Sequence, residues 1–191
     1  MDEQLPDPDD EVPDDPSERV QWERRRLVRL LDEVARLAES GIQPEAFYDG
    51  LPRRLLAALS AVAGEVRGKA HLGGVRRYQV NMDKVGLGGG SEAGSSHEAL
   101  LRAAFTLGQS LHLDPNDTIE PGVPGEATAG NPTAFLLLLV PILHQNLVIG
   151  LIEIFQEVGR PSLAIPGFLL YMGMMAQHAG RYEAYRIDRG L

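Results

Sequence analysis

The chain has 191 residues, 43% hydrophobic and 24% charged, the profile of one globular domain with little beyond an attached tail or helix. Its net charge of −9 is concentrated at the start: nine of the 27 acids fall in residues 1–18, where there is no base, leaving 18 acids against 18 Lys and Arg elsewhere. A formally neutral domain behind an acidic tail repels nucleic acid and anionic lipid, and zero cysteines exclude disulfides, thiolate metal sites, cysteine nucleophiles and thioether-linked chromophores.

Residues 1–15 are poor in apolar groups and rich in like charge and proline, a composition that predicts a disordered tail. The N-terminus lacks the basic and then apolar pattern of an export signal, and the longest apolar run, Ala134 to Leu143, is about half of the roughly 20 residues that cross a bilayer. A cytoplasmic protein with no direct membrane insertion is expected.

Asp15-Pro16-Ser17-Glu18 predicts a helix start, with Asp15 as N-cap, and the amphipathic helix should run from about 16 to 39. Val20, Leu27, Leu30, Val34 and Leu37 form a heptad seam of about three repeats, widened by Leu31 and Ala38. Two readings stand side by side: a helix packed on its own domain, or a dimerisation helix that makes the chain a homodimer. Gly41 ends this helix and Pro44 opens a second, carrying Phe47, Leu51, Leu55, Leu56 and Leu59, with a kink or break expected near Gly50 because Pro52 follows. The folded domain is expected over 41–191.

Two strands are predicted at Val62 to Ala70 and Gly74 to Asn81, joined by a turn over Lys69 to Gly74. The first alternates Val66, Gly68 and Ala70 with Glu65, Arg67 and Lys69. Val85 to Ser96, with five glycines, reads as a flexible connector without the strand–glycine turn–helix context of a phosphate-binding loop. His97 to Leu107 has helical periodicity, Ser96 reads as its cap, and Gly108 stops it. A short strand, Ser110 to Leu113, follows, then a loop over Asp114 to Pro132, long enough to serve as a ligand lid. Thr133 to Leu143 and Leu147 to Glu157 read as a central hairpin, and a helix from Pro161 or Pro166 runs to near Gly190.

The order of elements, together with Asn131-Pro132-Thr133 leading into FLLLLVPIL and the apolar-glycine-apolar segment Val148 to Phe155, resembles the GAF domain over about residues 41–187. More narrowly, Tyr78-Gln79-Val80-Asn81, Gly130 to Thr133 and Ile152 to Gln156 resemble the divergent GAF domains that precede membrane-fusion, or secretion adaptor, modules in some bacterial proteins. The resemblance implies an α+β fold: a central antiparallel sheet of five or six strands flanked by helices, with a pocket between the sheet and the helix and loops on one side. GAF domains bind cyclic nucleotides, tetrapyrroles or other small molecules, or bind nothing and transmit signals or dimerise. The Asn-Lys-Phe-Asp-Glu set of the cyclic-GMP binders is not found here, and the missing cysteines remove both covalent bilin attachment and the chemistry of methionine sulfoxide reduction.

No catalytic residue, metal site or cofactor is expected. His71, His97, His112, His144 and His178 lack close ligand spacing and read mostly as surface or turn residues, and Ser95-Ser96-His97 lacks the geometry of a nucleophile and base. The candidate ligand-binding residues are Asn81, Asn131, Thr133, Glu153 and Phe155. Glu153 stands in an apolar strand, where a carboxylate is costly unless partnered or exposed, so it pairs with an arginine, or is exposed on a partly solvated sheet face, or lines a pocket. Asn131 and Thr133 also suit a turn. Alternation places Glu153 with Leu147, Ile149, Leu151 and Phe155, and Leu136, Leu138 and Val140 are expected to line the same pocket. The arginines at 24–26, 53–54 and 76–77 form no phosphate clamp, so a small, mostly apolar ligand is expected. Two functions remain open: a sensory or regulatory module that binds such a molecule, or a structural part of a secretion or efflux system.

Overall fold

The computed structural model describes residues 13–69, 75–87, 92–119, 128–159 and 164–189. The expected tail, the expected Lys69 to Gly74 turn and the glycines of the connector fall wholly or mostly outside these residues. The first helix, α1 (Pro16–Glu39), begins as the sequence predicts: the Asp15 carboxylate accepts from the Ser17 and Glu18 amides at 2.8 and 3.2 Å. Gly41, at φ +72, carries the chain out of it.

The second helix, α2 (Pro44–Leu59), is one continuous helix through Pro52, contrary to the expected break. Phe47, Tyr48, Leu51, Leu55, Leu56 and Leu59 lie along one buried face of it, and that shared burial outweighs the single hydrogen bond that proline forgoes. Tertiary packing, absent from local propensity, decides the outcome.

The strands are β1 (Ala63–Lys69), β2 (Val75–Val80), β3 (Leu111–Leu113), β6 (Leu136–His144) and β7 (Leu147–Gln156), in a five-stranded sheet of order β2-β1-β7-β6-β3. Every pairing in it is antiparallel. Gln145 and Asn146, at φ 50 and 61, form the two-residue turn of the β6–β7 hairpin. A Cβ on Gly150 would lie 2.7 Å from the Arg67 carbonyl, so glycine is what lets β7 and β1 approach there.

The loop after β3 is more ordered at its ends than expected. Thr118–Ile119 (β4) and Ala129–Gly130 (β5) pair as a separate two-stranded ladder. Helix α3 (Glu92–Leu107) starts five residues before the sequence reading, inside the supposed connector, after a single 3-10 turn at Met82–Val85. Ser96 is therefore not its cap; it lies in the first turns and donates from Oγ to the Thr128 carbonyl at 2.8 Å, tying α3 to β5. Helix α4 is Ile165–Arg189.

Helices cover both faces of the sheet. On one, α1, α2 and α4 pack over Val66, Leu136, Leu138, Val140, Ile142, Ile152 and Ile154. On the other, α3 and the 3-10 turn pack over Ala63, Leu137, Leu139, Leu151 and Phe155. The central strands are thus apolar on both sides, which explains the continuous apolar runs of β6 and β7. The second half of the α1 seam is consumed inside the domain, where Val34 and Ala38 are buried and Leu27, Leu30, Leu31 and Leu37 pack on the same core. Val20, near its start, is 66% exposed.

Candidate functional site

Charged groups gather on the α3 face of the sheet. Cross-strand register aligns Gln79 with Glu65, Glu65 with Glu153, and Glu153 with Leu139, so three polar side chains and then a leucine form a row across four strands. Arg67 stands two residues beyond Glu65 on the same face. From above, α3 contributes His97 and Glu98. Its residues 97, 100, 101 and 104 share one helical face and are all buried.

The strand alternation of Glu65 and Arg67 against Val66 suggests an outward polar face, yet both are buried beneath α3. Arg67 donates from Nε to Glu65 at 2.9 Å and from Nη1 to both carboxylate oxygens of Glu98, at 3.0 and 2.8 Å. Gln79 donates to the second oxygen of Glu65. Burial opposes the charge on Arg67, but the hydrogen bond to Glu98 and the fields of Glu65, Glu153 and Glu98 outweigh it and hold its pKa above the ordinary arginine value.

Glu153 is only 1% exposed and His97 4%. His97 Nε2 lies 2.8 Å from Glu153 Oε2, but in a direction that makes no hydrogen bond: both carboxylate oxygens and both ring nitrogens lack a hydrogen-bond partner among the described residues. The distance establishes proximity, and the directional criterion governs satisfaction, so the pair is a close contact whose hydrogen-bonding capacity is unused. His97 also lies against Phe155, ring centroids 5.9 Å apart. Glu153 thus faces a histidine rather than the expected arginine, and lies in the interior rather than on a solvated surface. His97 is an exception to the expectation that most of the histidines lie at surfaces or turns.

The proposed lining divides between the two faces. Glu153, Leu151 and Phe155 look toward α3, whereas Leu136, Leu138 and Val140 belong to the opposite core. A register shift pairs Leu143 with Val148 after Ile142 pairs with Gly150, and this bulge turns Ile149 to the far face and Val148 toward α3. Leu147 is exposed at the turn.

Asn131 and Thr133 tie Leu113 and Asp114, at the end of β3, to Phe135 at the start of β6. The Asn131 amide donates to the carbonyls of Leu113, Asp114 and Phe135 at 3.2, 3.1 and 2.8 Å, and its oxygen accepts from Thr133 N and Oγ1 at 3.2 and 2.7 Å. Their polar groups serve the loop. Asn81, in the left-handed region at φ 57, donates to the Val62 carbonyl at 3.1 Å and launches the 3-10 turn. Among the described residues, no group of three or more metal-ligating side chains is disposed to hold a metal ion.

A five-stranded antiparallel sheet with one helix over a polar-edged face and three helices behind is an arrangement found in solved structures. The chain is similar to the GAF domain of A. aeolicus nlh2 in an inactive state, with a TM-score of 0.62 and 16% identity over 86% of this chain and 99% of that one. It is similar also to the GAF domain of a phosphoenolpyruvate-protein phosphotransferase from Coxiella burnetii, with a TM-score of 0.59, 16% identity and coverage of 87% and 97%. The fold is the GAF fold. A third similar structure is the free methionine-R-sulfoxide reductase from Neisseria meningitidis in complex with its substrate, with a TM-score of 0.53, 13% identity and coverage of 93% and 98%. No protein-family model and no curated protein matches the sequence.

In this GAF fold the cluster was illegible because its members come from separate segments: Glu65 and Arg67 from β1, Gln79 from β2, His97 and Glu98 from α3. Glu153 was marked by its cost in an apolar strand; the others resembled ordinary surface polarity. A groove of about 390 Å³ between α1, the end of α2 and the start of α4, lined in part by Arg26, Leu27, Leu59, Phe168 and Tyr171, lies on the opposite side of the sheet. Its Arg26 already donates to the Ala57 carbonyl and its Tyr171 hydroxyl to that of Leu27. The site therefore rests on the α3 face.

Proposed function

We propose that the chain is a non-catalytic, cytoplasmic sensory or regulatory module that takes up a small molecule between α3 and the sheet. Occupancy passes through the sheet to α1 and α4 on the other face. The observation that carries this reading is the buried Glu153–His97 contact with its hydrogen bonds unmade. A scaffold gains nothing from ionisable groups in such a place, because apolar side chains of similar volume pack there at lower cost. The neighbouring Leu137, Leu139, Leu151 and Phe155 give the site an apolar wall. This favours sensing over a purely structural part in a secretion or efflux system. Val20 at 66% exposure and Leu170 at 67% leave apolar surface on the outer helices for pairing with a second copy, giving a homodimer.

Thermal-shift titration tests the reading. Cyclic and linear nucleotides are expected to leave the melting temperature unchanged, because the sequence lacks the Asn-Lys-Phe-Asp-Glu set of the cyclic-GMP binders and its arginines form no phosphate clamp. A panel of small polar and apolar metabolites should contain one that gives a saturable rise, worth roughly 2.7 kcal/mol at a hundred times its dissociation constant, and Glu153→Ala should abolish it. A cyclic nucleotide whose saturable shift is lost in Glu153→Ala contradicts the ligand class. A panel without any saturable shift favours the structural role.

A further inference from the structure

We propose that the acidic segment 1–12 docks on its own chain, with Leu5 seated in the groove between α1, the end of α2 and the start of α4. The segment holds six acids and no base, and Leu5 stands in it between Glu3 and Asp7. Such a composition builds no core of its own, so it orders only against a surface that supplies both apolar contact and positive charge. The groove, about 390 Å³, supplies the first through Leu27, Leu59 and Phe168. The second comes from α1, whose residues 16–29 carry five arginines against two glutamates.

The geometry at Pro13 sets the direction. Arg19 donates from Nε to the Pro13 carbonyl at 3.2 Å, holding the chain before the helix against the side of α1 that carries Arg19. Arg19, Glu23, Arg26 and Leu27 share that helical face, and the last three line the groove. Leu5, Asp7 and Val12 each precede a proline, which biases the segment to extended backbone. At about 3.1 Å per residue, Leu5 to Pro13 spans about 25 Å. Leu27 lies about 16 Å along the helix from Pro16, so Leu5 reaches the groove with length left for the turn. Glu23 repels the acids, so the apolar residue enters while Asp7, Asp9, Asp10 and Glu11 lie alongside, toward the exposed Arg19, Arg24 and Arg25. Val20, 66% exposed, lies on the neighbouring part of this face, so the docked segment competes with a second copy for that side of α1.

The test attaches a nitroxide to Gln4→Cys in the full chain, where no native cysteine competes, and reads the amide resonances. Those of Leu27, Ala58 and Phe168 should lose intensity severalfold, and that of Leu107 on α3 should not. Raising the salt from about 0.01 M to about 1 M, which shortens the screening length from about 30 to about 3 Å, should restore them. Leu5→Asp should restore them at low salt, and so should Arg19→Glu, a charge reversal at an exposed position that leaves the core intact. A mixture of isotope-labelled chain without the nitroxide and unlabelled chain carrying it separates the occupants. The losses should vanish in that mixture; losses that persist assign the groove to the segment of a second copy and overturn the proposal. Losses spread equally over Phe168 and Leu107, no losses at all, or losses that Leu5→Asp leaves unchanged overturn it too.

Discussion

Arg67→Met is expected to destabilise the domain by about 3–5 kcal/mol, the cost of removing one partner from a buried charge cluster. The guanidinium bonds two carboxylates at once, Glu65 and Glu98. Methionine fills much of its volume but returns no hydrogen bond, so Glu65, itself 1% exposed, loses the Arg67 guanidinium as a partner. Glu98 is half-exposed and recovers by turning to water, which keeps the loss from being larger. For a chain of this length the melting temperature should fall by roughly 10 °C. Arg67→Lys should lie between, because an ammonium keeps the charge but cannot span both carboxylates with a planar fork. Urea denaturation followed by circular dichroism measures the loss, and a change below about 1 kcal/mol would mean that the cluster is solvated rather than buried.

Phe155→Ala is expected to cost about 3–5 kcal/mol through lost burial and the cavity left behind. The ring is fully buried, and its cross-strand neighbours are Ala63 on β1 and Leu137 on β6. The strands on both sides fix the backbone, so the site cannot collapse to refill the space. The ring also floors His97, so the same substitution should let the imidazole move and broaden its resonances. Leu107→Ala, at an exposed position on α3, should stay within about 0.5 kcal/mol of the unmodified chain. Equal effects at the two positions would contradict the packing described for the α3 face.

The fold was legible wherever local chemistry is self-sufficient. Asp15 caps α1 because its carboxylate reaches amides two and three residues away, and Gln145-Asn146 turn the hairpin between two apolar runs that nothing else could connect so tightly. Legibility failed where a distant segment decides. Pro52 stays helical because Leu51 and Leu55, before and after it on the same helical face, are buried in the core. The start of α3 was hidden by Gly94 and the serines, whose intrinsic preference is offset where Ser96 bonds the Thr128 carbonyl just before β5.

The site shows the same division. Glu153 was visible as a charge misplaced in its own strand, but its partner lies 56 positions earlier on a helix, and no spacing rule joins them. Glu65 and Arg67 alternate with Val66 as a solvated face would, and only α3 above them turns that pattern into a buried cluster. Asn131 and Thr133 were conspicuous because loop-organising residues look like ligands when their targets are backbone carbonyls several residues away.

The stability of unliganded Glu153→Leu tests most directly whether the α3 face is a binding site or a piece of the scaffold. Leucine matches Leu139 across the strand pair and removes a buried carboxylate whose oxygens make no hydrogen bond among the described residues. A group retained for recognition at the expense of stability predicts that the variant is more stable by about 1–4 kcal/mol in urea denaturation. A loss of about 3 kcal/mol or more would show that Glu153 and His97 hold the fold together, and would contradict a site kept for a ligand.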